Sequence, residues 1–301
     1  MTTLVTGASG YLGYHLTAKL SERGEAVVAV LRQTSRTDHL AALGDRVAVH
    51  IDDATSDGLT SIFSDTEIKT VYHLAAHRPG GGTEDEDAMA EANVRFDVRL
   101  LNAMAGGDCR TLVNAGSYWQ FNGEGERAPN SLYATAKQEF QDILADRVDD
   151  YAIRAVSLVL FDIYGPGDWR GGVTAALCRA AQGEIVDMTG GEQVLDMVYV
   201  SDVVDAFLTA GAFIRDGKIG NPHQHYFIGS GQRAGLREIA TVFEAACERP
   251  LALNWGALDY RRNQIFSPCP AEPALPGWEP RVSLDEGFAG IVREMHLGVS
   301  A

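Results

Sequence analysis

The sequence has few cysteines, few lysines and no long apolar run. Its four cysteines among 301 residues stand far apart, with no Cys-x-x-Cys spacing, which predicts neither a zinc site nor a disulfide framework. We therefore predict no metal site and a cytoplasmic protein with reduced thiols. The opening MTTLVTG lacks a basic region followed by an apolar one and predicts no signal peptide. No stretch is long enough to predict a membrane span.

Positive charge is also scarce. Lys and Arg number 25 against 41 Asp and Glu, which gives a formal net charge of −16. General nucleic-acid binding needs a basic surface that displaces counterions from phosphates, so we predict no nucleic-acid partner. A local basic pocket for one anionic ligand is compatible with this charge.

The first half of the chain alternates short apolar strands with helices. Buried strands rich in Val, Leu and Ile are predicted at 3–7, 26–32, 46–51, 70–76, 110–116 and 152–161. Helices are predicted between them at 11–23, 57–65, 85–105 and 131–148. This alternation predicts an α/β fold with a doubly wound parallel Rossmann sheet.

The regular alternation fades after IYGPGD (163–168). Helices are predicted at 171–182, 201–214, 235–247 and 283–295, and GNPHQHY, which contains His223 and His225, is interpreted as a loop. The proline-rich run at 267–280 is predicted to be irregular. We predict a dinucleotide-binding domain at 1–165 and a smaller, mainly substrate-binding lobe at 166–301, with some segments returning to the first domain.

A glycine loop joins the first predicted strand to the first helix. TGASGYLG has glycines where a tight turn and helix amides would face a pyrophosphate. The motif predicts a dinucleotide site, and a glycine-rich turn without a ligand is the alternative. The predicted cofactor-binding residues of this loop are Gly7, Ser9, Gly10, Tyr11, Leu12 and Gly13.

The end of the second predicted strand bears on the choice of cofactor. AVLRQTSRTD has Arg32 and Arg36 where a carboxylate would bind the adenosine ribose of NAD. A guanidinium suits a 2′-phosphate, so NADP(H) is favoured over NAD(H), unless both arginines are solvated surface groups. Asp53 would accept from the adenine amino group, with loop solvation as its alternative. The other predicted cofactor contacts are Ala54, Leu74, Ala75 and Ala76.

The segment SLYATAKQEF places Tyr133 and Lys137 one turn apart on a helix. Such a pair arises by chance in about one sequence in eight of this composition, so its position matters. It follows Ser117 at the end of the fifth strand, and in a parallel sheet both meet the glycine loop at one edge. A lysine cation lowers the pKa of a phenol below about 10, which favours proton transfer from Tyr133 to a carbonyl oxygen.

These motifs, together with HLAA, YGPGD and MVYVSDVVDAF, resemble the extended short-chain dehydrogenase/reductase family over nearly the whole chain. The resemblance implies catalytic residues Ser117, Tyr133 and Lys137, with hydride delivered by a nicotinamide. Lys137 would also hold the nicotinamide ribose, and Ser117 would orient the carbonyl. If residues are counted from the end of the strand, Gly116 instead of Ser117 can fall at the position where the family has its hydroxyl residue.

Extended members of the family mostly act on nucleotide-linked sugars. In the 4,6-dehydratases an Asp-Glu pair follows the hydroxyl residue, whereas Tyr118 and Trp119 stand there in this sequence, which disfavours dehydratase activity. Arg32 disfavours both epimerases and dehydratases, because these enzymes recycle a retained NAD. SYWQ, NSLYATAKQEF, LFDIYGPGDWR and WGALDYRRNQIF are similar to the CDP-abequose synthase-like 4-ketoreductases of deoxysugar biosynthesis. By that resemblance the substrate-binding residues are His77, Ser117, Tyr118, Trp119, Asp162, Arg170, Tyr260, Arg261 and Arg262.

The sequence thus predicts NADPH-dependent reduction of the C4 ketone of an NDP-4-keto-6-deoxyhexose. An NDP-sugar epimerase with retained NAD and a non-catalytic NADP-binding regulator are the alternatives. For DYRRNQ (259–264) the alternative to substrate binding is a charged surface loop. Within the predicted helix 85–105, residues 93–104 have an apolar face with Leu100, Leu101 and Met104. Core packing is one interpretation of this face, and the family resemblance implies the other, a homodimer interface.

Overall fold

The computed structural model describes residues 1–77, 89 and 91–298, and most of its strands belong to one central sheet. Numbered in chain order, the strands are β1 (Thr2–Thr6), β2 (Ala26–Arg32), β3 (Val47–Asp52), β4 (Ile68–His73), β5 (Thr111–Ser117), β6 (Arg154–Leu160), β7 (Asp162–Tyr164), β8 (Val186–Met188), β9 (Val194–Tyr199), β10 (His223–Ile228), β11 (Arg233–Gly235) and β12 (Leu253–Trp255). The central sheet contains seven of them in the order β10-β6-β5-β4-β1-β2-β3, and every pair is parallel.

Helices cover both faces of this sheet. They are α1 (Tyr11–Glu22), α2 (Asp38–Ala41), α3 (Ser56–Asp65), α4 (Phe96–Gly106), α5 (Leu132–Arg147), α6 (Val173–Ala181), α7 (Val200–Arg215), α8 (Leu236–Cys247) and α9 (Leu284–Gly298). A π-helical turn, Glu91–Arg95, precedes α4, and a 3₁₀ turn, Tyr118–Gln120, follows β5. The predicted doubly wound Rossmann sheet is confirmed.

The sheet is buried on both sides because its strands carry apolar residues at successive positions. In β1, Leu4 packs in the cluster that contains residues of α3, α4 and α5, whereas Val5 packs with residues of α1 and α7. Strands covered on both faces have nearly continuous apolar sequences rather than an alternating pattern. Leu100, Leu101 and Met104 belong to the first of these clusters, so these three side chains pack in the core.

The second half of the chain contains more strands than its sequence indicates. A three-stranded sheet, β11-β9-β7, and a two-stranded sheet, β12-β8, pack with α6, α8 and α9. Phe243 of α8 and Phe288 of α9 meet edge to face in this smaller core, with ring centroids 4.9 Å apart. Between these elements, α7 and β10 return to the central sheet. The domain boundary at residue 165 stays a prediction.

The interpretation of the segment around His223 as a loop is wrong. His223 and His225 lie in β10, which pairs with β6 at the edge of the central sheet. The strand begins with polar residues and becomes fully buried only at Tyr226, so its first half has no apolar signature. His223 Nε2 lies 2.9 Å from Ser157 Oγ, and burial lowers the pKa of His223 to about 4, which keeps the ring neutral.

Among the other predicted elements, the strand 70–76 and the helix 85–105 differ most from the structure. The predicted strand 70–76 ends at His73, because residues 74–77 leave the sheet. Residues 85–88 and 90 of the predicted helix 85–105 lie outside the described residues. Its later part begins as the π-helical turn and continues as α4. None of the described helices combines the length and apolar character that a bilayer crossing requires.

Candidate active site

The glycine loop lies between the carboxyl end of β1 and the first turn of α1. Gly7 has φ of +70°, which favours glycine, and a Cβ there would lie 2.7 Å from the Ala75 amide nitrogen. A Cβ on Gly13 would lie 2.1 Å from the Gly7 carbonyl oxygen. Gly10 is the N-cap of α1, and its amide donates to the Gly7 carbonyl at 2.9 Å. The glycines therefore allow three backbone segments to come into direct contact.

The first turn of α1 offers backbone amides to a ligand. Within the described part of the chain no side chain caps Gly10, and the first turn has no acidic residue. The amides therefore keep the partial positive charge of a helix N-terminus, which attracts anions. Ser9 is half-buried, whereas Tyr11 and Leu12 are buried. The Tyr11 hydroxyl donates to the Pro166 carbonyl at 3.1 Å, so Tyr11 would contribute to this site through its backbone.

Residues 74–77 lie between the glycine loop and α5, and all four are half-buried. Thr6 Oγ1 accepts hydrogen bonds from the amides of Leu74 at 3.2 Å and Ala75 at 3.1 Å. The Ala75 carbonyl accepts from Lys137 Nζ at 3.4 Å. The structure therefore places the predicted cofactor contacts after β4 beside both the glycine loop and Lys137.

Asn93, which no sequence motif identifies, holds His77 by its backbone. Its Nδ2 donates to the His77 carbonyl at 2.8 Å, and its Oδ1 accepts from the His77 amide. Asn93 lies in the π-helical turn and is 1% exposed. Single π-helical turns within α-helices are frequent at functional sites. This turn fixes the path of the chain past the site.

Ser117 ends β5 and opens the 3₁₀ turn. Its Oγ accepts from the Trp119 amide at 3.3 Å, and its own amide donates to Gln120 Oε1 at 2.8 Å. A Cβ on Gly116 would lie 2.8 Å from Gln141 Nε2, so Gly116 packs against buried side chains. Between the two alternatives, Ser117 is the residue that brings a hydroxyl to the end of this strand.

A chain of amide side chains connects the turn after Ser117 to α5. Gln120 is fully buried, and its Nε2 donates to Gln138 Oε1 at 3.1 Å. Gln138 Nε2 in turn donates to Asp142 Oδ1 at 2.9 Å. These bonds fix the position of Ser117 relative to the helix that carries Tyr133. Neither glutamine belongs to a sequence motif that predicts a site.

Tyr133 lies in the first turn of α5, whose N-cap Ser131 accepts from the Ala134 amide at 3.2 Å. Its ring contacts Trp119 edge to face, with centroids 6.4 Å apart. Lys137 follows one turn later and is 2% exposed. Burial lowers the pKa of Lys137, and the negative charge of Asp97 opposes that shift. Ser117, Tyr133 and Lys137 are thus brought to the carboxyl edge of the sheet.

Arg32 is the last residue of β2 and Arg36 follows the strand, and both side chains are exposed. In the described residues neither guanidinium forms an ion pair. Asp52 lies opposite Arg32 in the β2–β3 register, but its carboxylate pairs with Arg99 at 3.2 Å. The carboxylate opposite Arg32 in the register therefore faces Arg99 rather than Arg32.

Asp53 and Ala54 form the turn that leads into α3. Asp53 Oδ1 accepts from the Thr55 hydroxyl at 2.6 Å and from the Thr55 amide at 2.9 Å. These hydrogen bonds lower the pKa of Asp53. Ala54 has φ of +62°, and both residues are exposed. Their geometry accounts for the turn, and contact with adenine stays a prediction.

Tyr118 and Asp162 contact each other next to Ser117. The Tyr118 hydroxyl donates to Asp162 Oδ2 at 3.1 Å. The Tyr118 ring stacks on Phe161, with centroids 5.1 Å apart, and Tyr118 is 7% exposed. Asp162 and Trp119 are half-buried. Any contact of Tyr118 with a substrate would therefore involve its hydroxyl rather than its ring face.

Arg170 is held by groups of its own chain. Its Nε and Nη2 donate to the two carboxylate oxygens of Asp168 at 2.8 and 2.7 Å. Its Nη2 also donates to the Ile163 carbonyl at 2.8 Å, and its guanidinium lies 4.4 Å from the centre of the Tyr11 ring. The structure thus places Arg170 against the first turn of α1, and its contact with a substrate stays a prediction.

The loop that contains Tyr260, Arg261 and Arg262 reaches the start of α5. Asn263 Nδ2 donates to the Asn130 carbonyl at 3.1 Å, and Asn130 Nδ2 donates to the Asn263 carbonyl at 3.4 Å. The Tyr260 hydroxyl accepts from the amide of residue 192 at 3.1 Å. Arg261 and Arg262 are exposed. Both arginines therefore lie on a loop attached next to the helix of Tyr133.

The four cysteines are free thiols. Across residues 1–77, 89 and 91–298, no three His, Cys, Asp or Glu side chains are grouped as metal ligands would be. The described site offers backbone amides, hydroxyls, the carboxylates of Asp53 and Asp162, the ring of His77, one ammonium and several guanidinium groups.

Comparison with known proteins gives similarity over nearly the whole chain. The NAD dependent epimerase/dehydratase family profile matches residues 3–229. CDP-abequose synthase of Salmonella typhimurium is 24% identical over 97% of both chains. UDP-glucose 4-epimerase of Mycolicibacterium smegmatis is 28% identical, also over 97% of both. The solved UDP-glucose 4-epimerase of Thermotoga maritima, with UDP-glucose, has a TM-score of 0.86 at 25% identity and covers both chains completely. That of Thermus thermophilus, with NAD, has a TM-score of 0.84 at 24% identity, covering 98% of this chain and 99% of the other.

Proposed function

The chain belongs to the NAD dependent epimerase/dehydratase family, and on that premise we propose that it reduces the C4 ketone of a nucleotide-linked 4-keto-6-deoxyhexose with NADPH. The observation that carries the choice of reductase is the exposed guanidinium of Arg32 at the end of β2, which forms no ion pair among the described residues and lies beside a carboxylate bound to Arg99. A 2′-phosphate fits this charge, and NADPH is a reductant that a reductase consumes. The similarity to CDP-abequose synthase supports the substrate class.

The glycine loop fits the pyrophosphate of a dinucleotide. Side chains at Gly7 or Gly13 would collide with backbone, and the uncapped amides of α1 attract an anion. We propose that this loop and residues 74–76 hold the cofactor, that Arg32 with Arg36 binds the 2′-phosphate, and that Asp53 and Ala54 flank the adenine. Bound NADPH would supply the hydride, and NAD(H) is the alternative cofactor.

The proton would come from Tyr133. Its phenol donates to the C4 oxygen as that oxygen gains negative charge, and the Lys137 ammonium one turn later stabilises the phenolate that remains. The Ser117 hydroxyl donates a second hydrogen bond to the same oxygen. The bonds from Ser117 through Gln120 to Gln138 support this role, because they fix the hydroxyl relative to α5.

The nucleotide diphosphate would bind at the loop of residues 260–262. The Asn130–Asn263 bonds bring Arg261 and Arg262 close to the start of α5, and guanidinium groups bind phosphate oxygens in a bidentate way. We propose that His77, Trp119 and the hydroxyls of Tyr118 and Tyr260 contact the sugar nucleotide. Asp162 and Arg170 would also line the sugar-nucleotide pocket, and Asp162 would orient the Tyr118 hydroxyl that donates to it. A homodimer through α4 and α5 stays part of the proposal.

An epimerase of nucleotide sugars is the second candidate. It is favoured by the UDP-glucose 4-epimerase relative, which is 28% identical over the same share of the chain. Such an enzyme oxidises and reduces the same sugar, so it has no need to release its cofactor. Absorbance of the purified protein separates the candidates, because a nicotinamide retained at one equivalent per chain supports the epimerase.

A panel of CDP-, dTDP-, GDP- and UDP-4-keto-6-deoxyhexoses tests the proposed activity. We expect at least one of them to cause loss of NADPH absorbance, with one sugar product formed per NADPH oxidised, and NMR gives the configuration at C4. The proposal would be wrong if NADPH were stable with every ketone while a nucleotide sugar changed its C4 configuration without added cofactor.

Replacing Arg32 with aspartate is expected to change the cofactor preference. The substitution removes charge-assisted hydrogen bonds worth about 1.5–3 kcal/mol and adds an acceptor for ribose hydroxyls. We expect kcat/KM for NADPH to fall by about 10- to 100-fold, with kcat/KM for NADH unchanged or higher. An unchanged ratio of the two constants would refute the assigned role of Arg32.

Arg46→Asp is the matched control for this charge change. Arg46 precedes β3 at the amino edge of the sheet, opposite the edge of Arg32, and donates to the Gly24 carbonyl at 3.2 Å. The control changes the net charge by the same amount. We therefore expect it to leave the ratio of NADPH to NADH efficiency unaltered.

A further inference from the structure

Residues 163–170, which we call the clasp, lie against the first turn of α1. The Tyr11 hydroxyl donates to the Pro166 carbonyl at 3.1 Å, and a Cβ on Gly165 would lie 2.8 Å from the same hydroxyl. The Arg170 guanidinium lies 4.4 Å from the centre of the Tyr11 ring. Tyr11 is buried as a result. The clasp is therefore attached to the helix turn whose amides face the predicted pyrophosphate.

Trp169 stands in the clasp between two residues that are ion-paired with each other. Arg170 donates from Nε and Nη2 to the two carboxylate oxygens of Asp168 at 2.8 and 2.7 Å, and its Nη2 also donates to the Ile163 carbonyl at 2.8 Å. Trp169 itself is 56% exposed. Burial in a core therefore does not explain the position of its indole, whereas the bonds of its two neighbours fix its backbone.

The Trp169 indole meets three rings that belong to two different helices. Its centroid lies 5.6 Å from that of Tyr11 and 6.5 Å from that of Tyr14, both in α1. It also lies 5.8 Å from the ring centroid of His39 in α2. Tyr14 and His39 meet directly, with centroids 5.3 Å apart. Rings at such separations attract each other through their edges and faces, so the indole bridges α1 and α2.

The helix α2 needs such contacts because it is a single turn of four residues. Isolated helices of this length do not form in water, since nucleation of a helix is unfavourable. Within the described part of the chain, no side chain caps its N-terminus at Thr37. Leu40 packs in the core, and His39 forms the ring contacts with Tyr14 and Trp169. The burial of Leu40 and the rings around His39 thus attach α2 to the rest of the protein.

The position of α2 bears on Arg36 but not on Arg32. Arg32 is the last residue of β2 and pairs with Asp52 of β3 in the central sheet. Arg36 lies beyond the turn that the Ser35 amide closes by donating to the Arg32 carbonyl at 2.9 Å, and only Thr37 separates it from α2. The sheet therefore holds the first arginine, whereas the place of the second depends on the helix that follows it.

We propose that Trp169 is a positioning residue that clamps α2 to α1 and so holds Arg36 at a fixed distance from the first turn of α1. A ligand with two anionic groups binds more tightly when both protein sites are already held at the matching separation. The inference rests on the proposed function, in which the amides of α1 bind the pyrophosphate of NADPH and Arg36 binds its 2′-phosphate. Trp169 would act on the cofactor through α2 alone, and the clamp itself requires no ligand.

Nicotinamide fluorescence measures the effect on cofactor affinity. Trp169→Ala is expected to raise the Kd for NADPH by about 3- to 10-fold and the Kd for NADH by less than about twofold, because NADH has no 2′-phosphate. Trp169→Phe keeps an aromatic ring and should restore the Kd for NADPH toward wild type. Ile185→Ala removes another exposed apolar side chain, 74% exposed before β8, and should change neither Kd. Equal weakening of NADPH and NADH binding in Trp169→Ala would overturn the proposal.

A double-mutant cycle identifies the arginine through which Trp169 acts. In the Arg36→Ala background, Trp169→Ala should leave the Kd for NADPH nearly unchanged, because the group that the clamp positions is already absent. In the Arg32→Ala background the effect of Trp169→Ala should persist, because the sheet holds Arg32 independently of α2. Losses that multiply independently in the Arg36→Ala background would contradict the positioning role.

Hydrogen exchange tests the clamp in the protein without cofactor. The amides of Leu40 and Leu43 donate to the carbonyls of Thr37 and Leu40 at 2.9 and 3.0 Å. In Trp169→Ala these amides should exchange about threefold faster or more, because α2 opens more often, whereas exchange in α3 should be unaltered. Identical exchange of α2 in wild type and Trp169→Ala would refute the clamp. If exchange and NADPH binding both change as expected but wild type reduces no ketone, the proposed reductase activity is wrong and the role of Trp169 stands.

Discussion

Replacing Tyr133 with phenylalanine is expected to lower kcat by about 10²- to 10⁴-fold, the usual contribution of a positioned general acid. Phenylalanine keeps the ring that meets Trp119 edge to face at 6.4 Å, so the packing at the start of α5 is preserved. The substitution removes only the hydroxyl, and the C4 oxygen would have no proton donor. The Kd for NADPH should change little, because the glycine loop and residues 74–77 are untouched.

Two measurements separate these effects. The rate of NADPH oxidation gives kcat, and quenching of intrinsic fluorescence gives Kd for NADPH. Tyr226→Phe is the matched control, because the Tyr226 hydroxyl donates to Gln224 Oε1 at 3.0 Å on β10, and its ring packs on the face of the sheet opposite α4 and α5. The control should retain full turnover. Normal turnover in Tyr133→Phe would eliminate it as the acid.

The second large effect is expected from Gly13→Ala. A Cβ on Gly13 would lie 2.1 Å from the Gly7 carbonyl oxygen, 2.8 Å from the Gly7 carbonyl carbon and 2.9 Å from Ala8 Cα. All three atoms belong to the backbone, so no side chain can rotate away. The glycine loop must move relative to α1, which displaces the amides that face the pyrophosphate. We expect kcat/KM for NADPH to fall by about 10²-fold, as misplacement by about 1 Å can cause.

Gly13→Ala is expected to lower the free energy of unfolding, although replacing a glycine within a helix by alanine ordinarily raises it. Overpacking costs about 1–3 kcal/mol, whereas alanine in place of glycine within a helix ordinarily adds about 0.5–1 kcal/mol. Gly106→Ala at the end of α4 is the matched control, because a Cβ there has no atom within 4 Å. Urea denaturation should show a lower free energy of unfolding for Gly13→Ala than for wild type, and no decrease for Gly106→Ala. Equal changes in the free energy of unfolding would contradict the close approach.

The central sheet could be predicted from the sequence because its signals are local. The predicted strand 26–32 has the same first and last residues as β2. An apolar run between two turns is typical of a parallel strand that is buried on both faces. The glycine loop and the Tyr133–Lys137 pair also have fixed local spacings. Their meeting at one edge follows from parallel topology, which the alternation of strands and helices already implied.

The rest of the candidate site depends on contacts between distant segments. Asp97 lies on the same helical face as Leu100, Leu101 and Met104, and a carboxylate within an apolar stripe was the available signal. Its significance requires knowing that β4 places His73 against that helix, with His73 Nε2 2.9 Å from Asp97 Oδ1. Likewise, β10 begins with polar residues, and only its pairing with β6 identifies it as a strand.

Arg170 shows that even a contact between residues close in the sequence was not predicted. An arginine beside a predicted pocket is a reasonable phosphate ligand from sequence alone. In the structure its guanidinium binds Asp168, two residues away, and covers the ring of Tyr11. The competition between an internal carboxylate and an external phosphate is decided by backbone geometry, which no local pattern encodes.

The return of β10 to the central sheet means that the nucleotide-binding half cannot be separated from the rest by cutting the chain between them. A polypeptide ended at residue 165 would lack β10 and would expose β6 as an unpaired sheet edge. That edge is RAVSLVL, with one charge and six residues that are buried in the full protein. Unprotected edges of this composition pair with other molecules, so such a fragment would aggregate rather than fold. Synthesis must continue through residue 228 before this edge can be covered.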